Sequence, residues 1–288
     1  MKALVLGAEG TLGRALCEFL PSSDGGAWEV EAVGRSKCDI TDATAVLRTV
    51  RNAQPDVVFN TAAYTNVDRA EDEPDLAYRV NALGPENIAL AAKSMGVSLV
   101  HYSTDFVFDG KVDRHYDEFD APTPLGVYGR SKVAGEKLAA GASDRVFIIR
   151  VGWLYGRGGK NFPSTIARRL AAGETIRADS ERVGAPTWVR NVAEVSVALA
   201  YSEFFGLYHC TSTGETTWEE YARFLATEMG LPNAEVIGQS SQSLPSMKAP
   251  RPRRAVLDNR MLRLRGLDTM PDWRDAARAF VRAERQVR

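Results

Sequence analysis

Residues 2–13 are Lys2-Ala-Leu-Val-Leu-Gly7-Ala-Glu-Gly10-Thr-Leu-Gly13, an apolar run followed directly by a turn with three regularly spaced glycines. The run predicts a short buried strand, and the stretch Arg14–Leu20 after it predicts a helix. In this context the first two glycines let the backbone approach a pyrophosphate, and the third lets the helix pack closely on the strand. The pattern predicts a dinucleotide-phosphate site that includes Thr11 and Leu12, with an ordinary tight turn as the alternative.

A second apolar run, Trp28–Val33, ends at Gly34-Arg35-Ser36, where the type of cofactor is usually decided. NAD-binding folds commonly carry an acidic residue here, which accepts hydrogen bonds from the ribose hydroxyls. Arg35 instead suits a 2′-phosphate, with Ser36 as a further donor, so the sequence favours NADPH over NADH. A surface arginine is the alternative. Asp39, beside Ile40, is a candidate acceptor for the adenine amino group.

Strands and helices alternate through the first half of the chain. Buried strands are predicted at 56–60, 98–102 and 146–151, and helices at 43–53 and 74–95. This alternation predicts an α/β fold with a doubly wound parallel sheet and helices on both faces.

The pattern changes after Val151, where the glycine- and aromatic-rich stretch Gly152–Phe162 has the composition of a loop that lines a ligand pocket. A helix and a strand between residues 190 and 212 are expected to return to the sheet. We therefore predict two domains: a nucleotide-binding domain of residues 1–152 with 190–212, and a smaller C-terminal α+β substrate-binding domain of residues 153–189 and 213–288.

Small or polar side chains follow two of the predicted strands. Ala62 and Ala63, which precede Tyr64, would let the backbone lie against a cofactor. Thr104 and Asp105 come directly after the strand at 98–102, and ligands of doubly wound sheets bind outside the carboxyl ends of the strands.

Tyr128 and Lys132 stand four residues apart in a predicted helix and therefore share one of its faces. An ammonium beside a phenol stabilises the phenolate and lowers the tyrosine pKa, which makes the pair a workable proton donor. By itself the spacing is more often a solvated helix face, so the prediction depends on the neighbouring signals.

Composition excludes several classes of protein. Thirty-six Lys and Arg residues against 37 Asp and Glu give a net charge of −1, which argues against a nucleic-acid-binding protein. The three cysteines (Cys17, Cys38 and Cys210) are scattered, so neither a disulfide framework nor a metal site is predicted. No signal peptide or membrane-spanning stretch is predicted, and we expect a cytoplasmic protein.

These motifs, taken along the whole chain, resemble the extended short-chain dehydrogenases/reductases, and among them the dTDP-4-dehydrorhamnose reductases. The stretches that carry the resemblance are the N-terminal glycine motif, Asn60–Asp68 with Glu71, Tyr102–Phe108, Tyr128–Lys132, Gly152-Trp153, Gly184–Thr187, Gly206–His209, Thr216–Trp218, Arg251-Pro252 and Pro271–Trp273.

The resemblance implies a Rossmann fold and reduction, by NADPH, of the C4 keto group of a dTDP-4-dehydro-6-deoxy-L-hexose, most simply dTDP-4-dehydro-L-rhamnose to dTDP-L-rhamnose. Tyr128 would donate the proton to the C4 oxygen, Thr104 would be a second donor, and Lys132 would hold the nicotinamide ribose and depress the Tyr128 pKa. The substrate-binding positions that the resemblance implies are Thr65, Val67, Thr104, Asp105, Phe106, Trp153 and Arg251, with Arg251 near the nucleotide diphosphate.

Departures from the family pattern leave other interpretations open. Asn66, Phe106 and the segment Glu181-Arg182-Val183 differ from the residues common in the family, which makes a reductase of another sugar, talose- or streptose-type, an alternative. A catalytically idle NADP-binding regulatory subunit is a further alternative. Ala15 and Arg190 stand where some members have glutamates at a magnesium-linked dimer interface, so no metal is predicted, and the protein is expected to be a monomer or homodimer.

Overall fold

The computed structural model of the protein describes residues 1–22, 28–158, 162–243 and 247–285. Its strands are β1 (Lys2–Leu6), β2 (Glu29–Val33), β3 (Val57–Asn60), β4 (Ser98–Thr104), β5 (Val146–Val151), β6 (Leu154–Tyr155), β7 (Ile176–Asp179), β8 (Val183–Gly184), β9 (Thr187–Trp188), β10 (Gly206–His209), β11 (Thr216–Thr217) and β12 (Val236–Gln239). Its α-helices are α1 (Thr11–Phe19), α2 (Ala43–Ala53), α3 (Val67–Ala70), α4 (Pro74–Tyr78), α5 (Gly84–Lys93), α6 (Val127–Ala142), α7 (Phe162–Ala171), α8 (Val189–Ser202), α9 (Trp218–Glu228), α10 (Arg260–Leu264) and α11 (Trp273–Arg285).

Six of these strands form one parallel sheet in the order β10-β5-β4-β3-β1-β2. The order reverses between β1 and β3, and the crevice at such a reversal is where doubly wound sheets bind ligands. The doubly wound α/β sheet predicted from the alternation is confirmed.

Both faces of the sheet are covered by helices because successive residues of each strand point to opposite sides. On β1, Ala3 and Val5 face the core shared with α1 and α8, whereas Leu4 and Leu6 face the core shared with α2, α5 and α6. Helix α2 has the predicted bounds, and the Asp42 carboxylate caps it by accepting from the Thr44 and Ala45 amides.

A separate hydrophobic cluster lies in the C-terminal half, where α7, α9 and α11 pack on the two-stranded sheet of β7 and β12. Tyr221 and Trp273 are among its largest buried side chains. Strand β10, by contrast, joins the main sheet beside β5. The division into two domains at the residues given above stays a prediction.

The single helix predicted over 74–95 is wrong in one respect, because a π-helical segment, Arg79–Leu83, separates α4 from α5. Asn81 lies in this segment with 1% of its surface exposed, and its side chain bonds both the N–H (2.8 Å) and the carbonyl (3.1 Å) of Tyr64. A partner 17 positions away cannot be inferred from the local pattern of apolar and polar residues. Of the predicted pocket-lining loop, residues 159–161 lie outside the described residues.

Candidate active site

Two adjoining clefts lie along the carboxyl edge of the main sheet. The larger has a volume of about 740 Å³ and the smaller about 520 Å³, and Gly10, Thr61, Ala63 and Thr65 line both. The larger cleft is lined by both Tyr128 and Lys132 and by all seven predicted substrate positions: Thr65, Val67, Thr104, Asp105, Phe106, Trp153 and Arg251. The fold therefore brings together residues that are as far as 186 positions apart, from Thr65 to Arg251.

The glycine turn after β1 has the backbone geometry that a close-approaching anion needs. Gly7 has a φ of +77°, and a Cβ there would lie 2.6 Å from the Ala62 nitrogen. A Cβ on Gly13 would lie 2.5 Å from the Gly7 carbonyl oxygen, so this glycine allows the turn and helix to pack. Among the described residues no side chain caps the N-terminus of α1, which leaves its amides able to meet a phosphate.

Most of the predicted cofactor positions line one of the two clefts, whereas Gly13 and Ser36 line neither. The smaller is lined by Gly7, Gly10, Arg35, Asp39, Ile40, Ala62, Ala63 and Tyr64, and Thr11 and Leu12 line the larger. Ser36 is exposed and lines neither of them, so the structure does not bring it to the site.

The outer end of the smaller cleft holds charges of both signs. The exposed Arg35 guanidinium lies 3.9 Å from the Asp39 carboxylate, whose pKa is lowered mainly by hydrogen bonds from Thr41. Glu9, which sequence reasoning did not single out, also lines this cleft, and its carboxylate covers Gly34 so closely that a Cβ there would meet it at 2.5 Å. Its position inside the glycine motif was the available signal.

Tyr128 is the second residue of α6, and several side chains outside the predicted site fix this end of the helix. The Glu71 carboxylate accepts from the Val127 amide at 2.7 Å. The Ser131 hydroxyl donates to the Tyr128 carbonyl at 2.8 Å and accepts from the Asn81 amide at 3.0 Å. The motif that carries the resemblance includes Glu71, but the sequence gives no role to Glu71 or to Asn81, because both act through tertiary contacts.

Thr104 ends β4 with its side chain beside Tyr128. Its hydroxyl donates to Asp105 at 2.9 Å and accepts from the Phe106 amide at 3.2 Å. The Phe106 ring contacts the Tyr128 ring edge-on, with 5.5 Å between centroids. Burial raises the pKa of Asp105 to about 7, so this carboxyl is partly protonated near neutral pH.

Burial, Thr104 and Asp105 set the pKa of Tyr128 in the structure, and the lowering of this pKa by Lys132 stays a prediction. Burial raises the pKa of Tyr128 to about 12, with a smaller lowering from the Thr104 hydroxyl. The Lys132 amine instead donates to the main-chain carbonyl of Tyr102 at 2.6 Å and lies 3.5 Å from His101 Nε2. Lys132 is 2% exposed, and this burial lowers its own pKa to about 8.

A buried ion pair between Arg150 and Glu136 lies next to the carboxyl ends of β4 and β5. Both guanidinium donors Nε and Nη2 of Arg150 bond the Glu136 carboxylate, at 2.9 and 2.7 Å, and the Ser103 hydroxyl donates to the same carboxylate at 2.5 Å. Arg150 is 2% exposed, and its guanidinium also lies over the Phe108 ring. The pair therefore ties α6, β4 and β5 together under the cleft.

Two stacked tryptophans form one wall of the larger cleft. Trp153 has a φ of +48°, and its ring stacks on Trp218 with 3.8 Å between centroids and 11° between planes. A Cβ on Gly184 would lie 2.2 Å from the Trp153 ring, so only glycine fits behind it. Trp218 was missed as a site residue although it stands in the motif Thr216–Trp218.

Arg251 lines the larger cleft, but Asp68 already binds its guanidinium. The two side chains form a two-point ion pair at 2.7 and 2.8 Å, and the Ala249 amide also donates to Asp68. The hydrogen bond from Arg251 is the largest of the interactions that lower the pKa of Asp68 to about 2. The ion pair holds the segment around Arg251 against α3 at the cleft entrance.

The described ranges contain no group of three or more His, Cys, Asp or Glu side chains placed to hold a metal ion. Within the same ranges, none of the helices has the length and apolar character required to span a bilayer.

The strand–glycine-turn–helix unit and the group Thr104, Tyr128 and Lys132 at one sheet edge define a protein of the extended short-chain dehydrogenase/reductase class. Residues 1–286 match the family model described as RmlD substrate binding domain, and the chain belongs to that family. The resemblance predicted from the motifs is thereby confirmed.

Named relatives agree with this assignment. The chain is 41% identical over 280 residues to a dTDP-4-dehydrorhamnose reductase of Streptomyces griseus, covering 95% of this chain and 90% of the relative. A crystal structure of a dTDP-4-dehydrorhamnose reductase from Clostridium acetobutylicum superposes with a TM-score of 0.93 at 34% identity, covering 99% of this chain and 100% of the other. The Bacillus anthracis dTDP-4-dehydrorhamnose reductase, solved in complex with NADP, gives 0.91 at 34% identity over 97% of this chain and 98% of its own.

Proposed function

We propose that the protein reduces the C4 keto group of a dTDP-4-dehydro-6-deoxy-L-hexose with NADPH, converting dTDP-4-dehydro-L-rhamnose to dTDP-L-rhamnose. The observation that carries the proposal is that Thr104, Tyr128 and Lys132 meet in one cleft that continues to the glycine turn after β1. The family and the named relatives support the same activity.

The residues of the smaller cleft fit the cofactor. The Gly7 turn would leave room for the pyrophosphate, the uncapped amides at the start of α1 would donate to it, and Arg35 would offer a charged donor for a 2′-phosphate. NADPH, when bound, supplies the hydride for C4; NADH is the less favoured cofactor because the acidic ribose ligand expected after β2 is replaced by Arg35.

The chemistry of this chain's own residues follows from their positions. Tyr128 gives its phenolic proton to the C4 oxygen as charge develops there, and the Thr104 hydroxyl turns from Asp105 to donate to the same oxygen. Lys132 holds the nicotinamide ribose and, once charged beside the phenol, eases proton release from Tyr128. Asp105, Thr65 and the Trp153 wall orient the sugar, and the Arg251 guanidinium binds the diphosphate. All four residues line the larger cleft, which supports these roles.

A direct assay tests the proposal. The purified protein is mixed with NADPH and dTDP-4-dehydro-L-rhamnose, absorbance at the reduced nicotinamide band is followed, and the product is analysed by NMR. We expect stoichiometric oxidation and a product with the rhamno configuration at C4. Another C4 configuration would favour the talose- or streptose-type alternative, for which Phe106, Arg182 and Val183 in the cleft wall give a structural basis. Cofactor binding without turnover on any 4-keto sugar nucleotide would favour the regulatory subunit.

Cytoplasmic location, the absence of nucleic-acid partners and a monomeric or homodimeric state stay predictions from the sequence.

Arg35→Ala is expected to weaken NADPH binding by roughly 1.5–3 kcal/mol, the scale of a hydrogen bond to a charged group, and to leave NADH binding nearly unchanged. The reason is that only NADPH carries the 2′-phosphate that Arg35 would meet. Fluorescence titration with both cofactors measures the difference. Arg51→Ala, an exposed change in the last turn of α2, is the control. Equal losses for the two cofactors would contradict the assignment of Arg35.

Trp218→Ala is expected to raise KM for the sugar nucleotide by about 2–13-fold, which corresponds to the 0.5–1.5 kcal/mol of an aromatic pair, with a small effect on kcat. Without its stacking partner, Trp153 loses the support that fixes its ring in the cleft. Steady-state kinetics with each substrate varied in turn measure this effect. Trp218→Phe preserves stacking and should stay near the parent, and KM for NADPH should be unchanged in both variants. An unchanged KM for the sugar nucleotide in Trp218→Ala would remove Trp218 from the site.

A further inference from the structure

Next to Lys132, a row of buried polar side chains on two neighbouring strands connects this lysine to the backbone at Ala62, in the segment after β3 that lines the smaller cleft. Asn60 on β3 and His101 on β4 are direct partners in the strand register, and they are 1% and 0% exposed. Asn60 Nδ2 lies 3.1 Å from His101 Nδ1, and His101 Nε2 lies 3.5 Å from the Lys132 amine. The other end of the row is the Ala62 amide, 3.2 Å from Asn60 Oδ1.

The Ala62 amide fixes the direction of every hydrogen bond in this row. A peptide N–H can only donate, so the oxygen of the Asn60 side chain must face Ala62 and its NH₂ group must face His101. His101 Nδ1 therefore accepts, and the hydrogen of the neutral ring sits on Nε2. That hydrogen points at the Lys132 nitrogen.

This arrangement disfavours an ammonium group on Lys132, because an ammonium has only donors and would face another donor 3.5 Å away. A neutral amine fits: its lone pair accepts from His101 Nε2, while one of its own hydrogens goes to the Tyr102 carbonyl at 2.6 Å. A second proton on His101 would sit on Nδ1 and face the NH₂ group of Asn60, which is also a donor, and burial lowers the His101 pKa well below its usual value.

The other ionisable groups around Lys132 affect the equilibrium between its neutral and charged forms but do not reverse the preference for the neutral amine. Glu136, one turn further along α6, favours the charged amine, but its carboxylate is already bonded by Arg150 of β5 and by Ser103. On the cleft side stand Tyr128 and Asp105, both of which burial drives toward their protonated, neutral forms. Burial likewise lowers the pKa of Lys132 to about 8.

We propose that Asn60 and His101 are positioning residues that favour the neutral amine of Lys132 before NADPH binds, so that in mildly alkaline solution NADPH binding is coupled to the uptake of a proton by this lysine. The inference rests on the proposed function, since it takes NADPH as the ligand. If Lys132 turned from His101 to the ribose hydroxyls, the hydrogen bond from His101 Nε2 would break and the free lone pair of the amine would take up a proton from solvent. The negative charge of the cofactor's phosphates would favour the resulting ammonium. With a pKa of about 8, Lys132 is mostly neutral at pH 8.5 before NADPH binds, so at this pH most of the charge that assists Tyr128 is acquired on binding.

Nitrogen NMR of the histidine rings tests the first half of the proposal in the cofactor-free protein. The chain has only three histidines, so the His101 ring can be assigned. We expect its hydrogen on Nε2. Asn60→Asp keeps size and the bond from Ala62 but presents an acceptor to Nδ1, so the hydrogen should move to Nδ1 in that variant. A parent protein with the hydrogen on Nδ1 would overturn the proposal.

Calorimetry of NADPH binding tests the second half. Titrations at pH 8.5 in two buffers of different ionisation enthalpy give the number of protons taken up, and the phosphate of the cofactor, with a second pKa of about 6, is fully ionised there. The parent should take up most of a proton. Asn60→Asp should take up much less, because the bare Nε2 then accepts from an ammonium already present. Asn52→Asp, which adds the same charge at an exposed position of α2, should behave as the parent.

The outcomes separate the inference from the proposed function. NADPH binding and turnover without proton uptake by the parent, or with the same uptake in Asn60→Asp, would overturn the inference alone. Failure of NADPH to bind would overturn the proposed function, and the NMR measurement, which needs no cofactor, would still decide where the His101 hydrogen lies.

Discussion

Tyr128→Phe is expected to lower kcat for the 4-keto sugar nucleotide by about 10²–10⁴-fold, the usual contribution of a positioned general acid. The variant removes one oxygen and keeps the ring that packs edge-on against Phe106, so the cleft should retain its shape. NADPH affinity should change little. Steady-state kinetics and a separate NADPH titration measure the two quantities.

Tyr155→Phe is the matched control for this experiment. It also removes a buried phenol, but the side chain packs against Tyr221 and Phe280 and does not line either of the two clefts. We expect the kcat of Tyr155→Phe to stay within about 2-fold of the parent, because Tyr155 lies outside the two clefts and its loss should not affect the proton donor Tyr128. Equal rates for Tyr128→Phe and the parent would show that another group protonates the C4 oxygen.

Arg150→Met is expected to lower the free energy of unfolding by about 3–5 kcal/mol, the cost of leaving one partner of a buried ion pair alone. The Glu136 side chain is 7% exposed, and without Arg150 its carboxylate would retain the hydrogen bond from the Ser103 hydroxyl but would have lost its ion-pair partner. Denaturant unfolding with an unchanged m-value would measure the loss. The consequence for function would be indirect, through β4, whose end carries Thr104.

Two further variants show whether the loss comes from the unpaired charge. Replacing both partners, Glu136→Met with Arg150→Met, should recover most of the stability, because no buried charge remains. Arg223→Met breaks the exposed pair with Glu219 on α9 and should cost at most about 0.5 kcal/mol. Equal losses for the buried and the exposed pair would contradict the role given to Arg150.

The fold and most of the site could be predicted from sequence because their signals are local. A strand, a glycine turn and a helix stand next to one another in residues 2–20, and the positive φ of Gly7 is a local backbone conformation that favours glycine. Thr104 and Asp105 were placed by the rule that ligands bind at the carboxyl ends of parallel strands, and both line the cleft.

What sequence reasoning missed or misjudged depends on distant partners. Trp218 lines the cleft and stacks on Trp153, 65 positions earlier, and Asn81 lies in a π segment while its side-chain amide bonds Tyr64. Ser36 follows Arg35 directly but lines neither cleft.

The sequence by itself determined the doubly wound sheet, the phosphate turn and the family, because each rests on residues that are neighbours along the chain or on strand ends that must share one edge. Only the tertiary structure decided the ionisation of the catalytic pair. Four residues of spacing put Tyr128 and Lys132 on one helix face, but pKa values follow burial and the groups that surround the side chain. Burial raises the Tyr128 pKa. The Lys132 amine donates to the Tyr102 carbonyl and lies beside His101, two groups that the spacing in the sequence does not reveal.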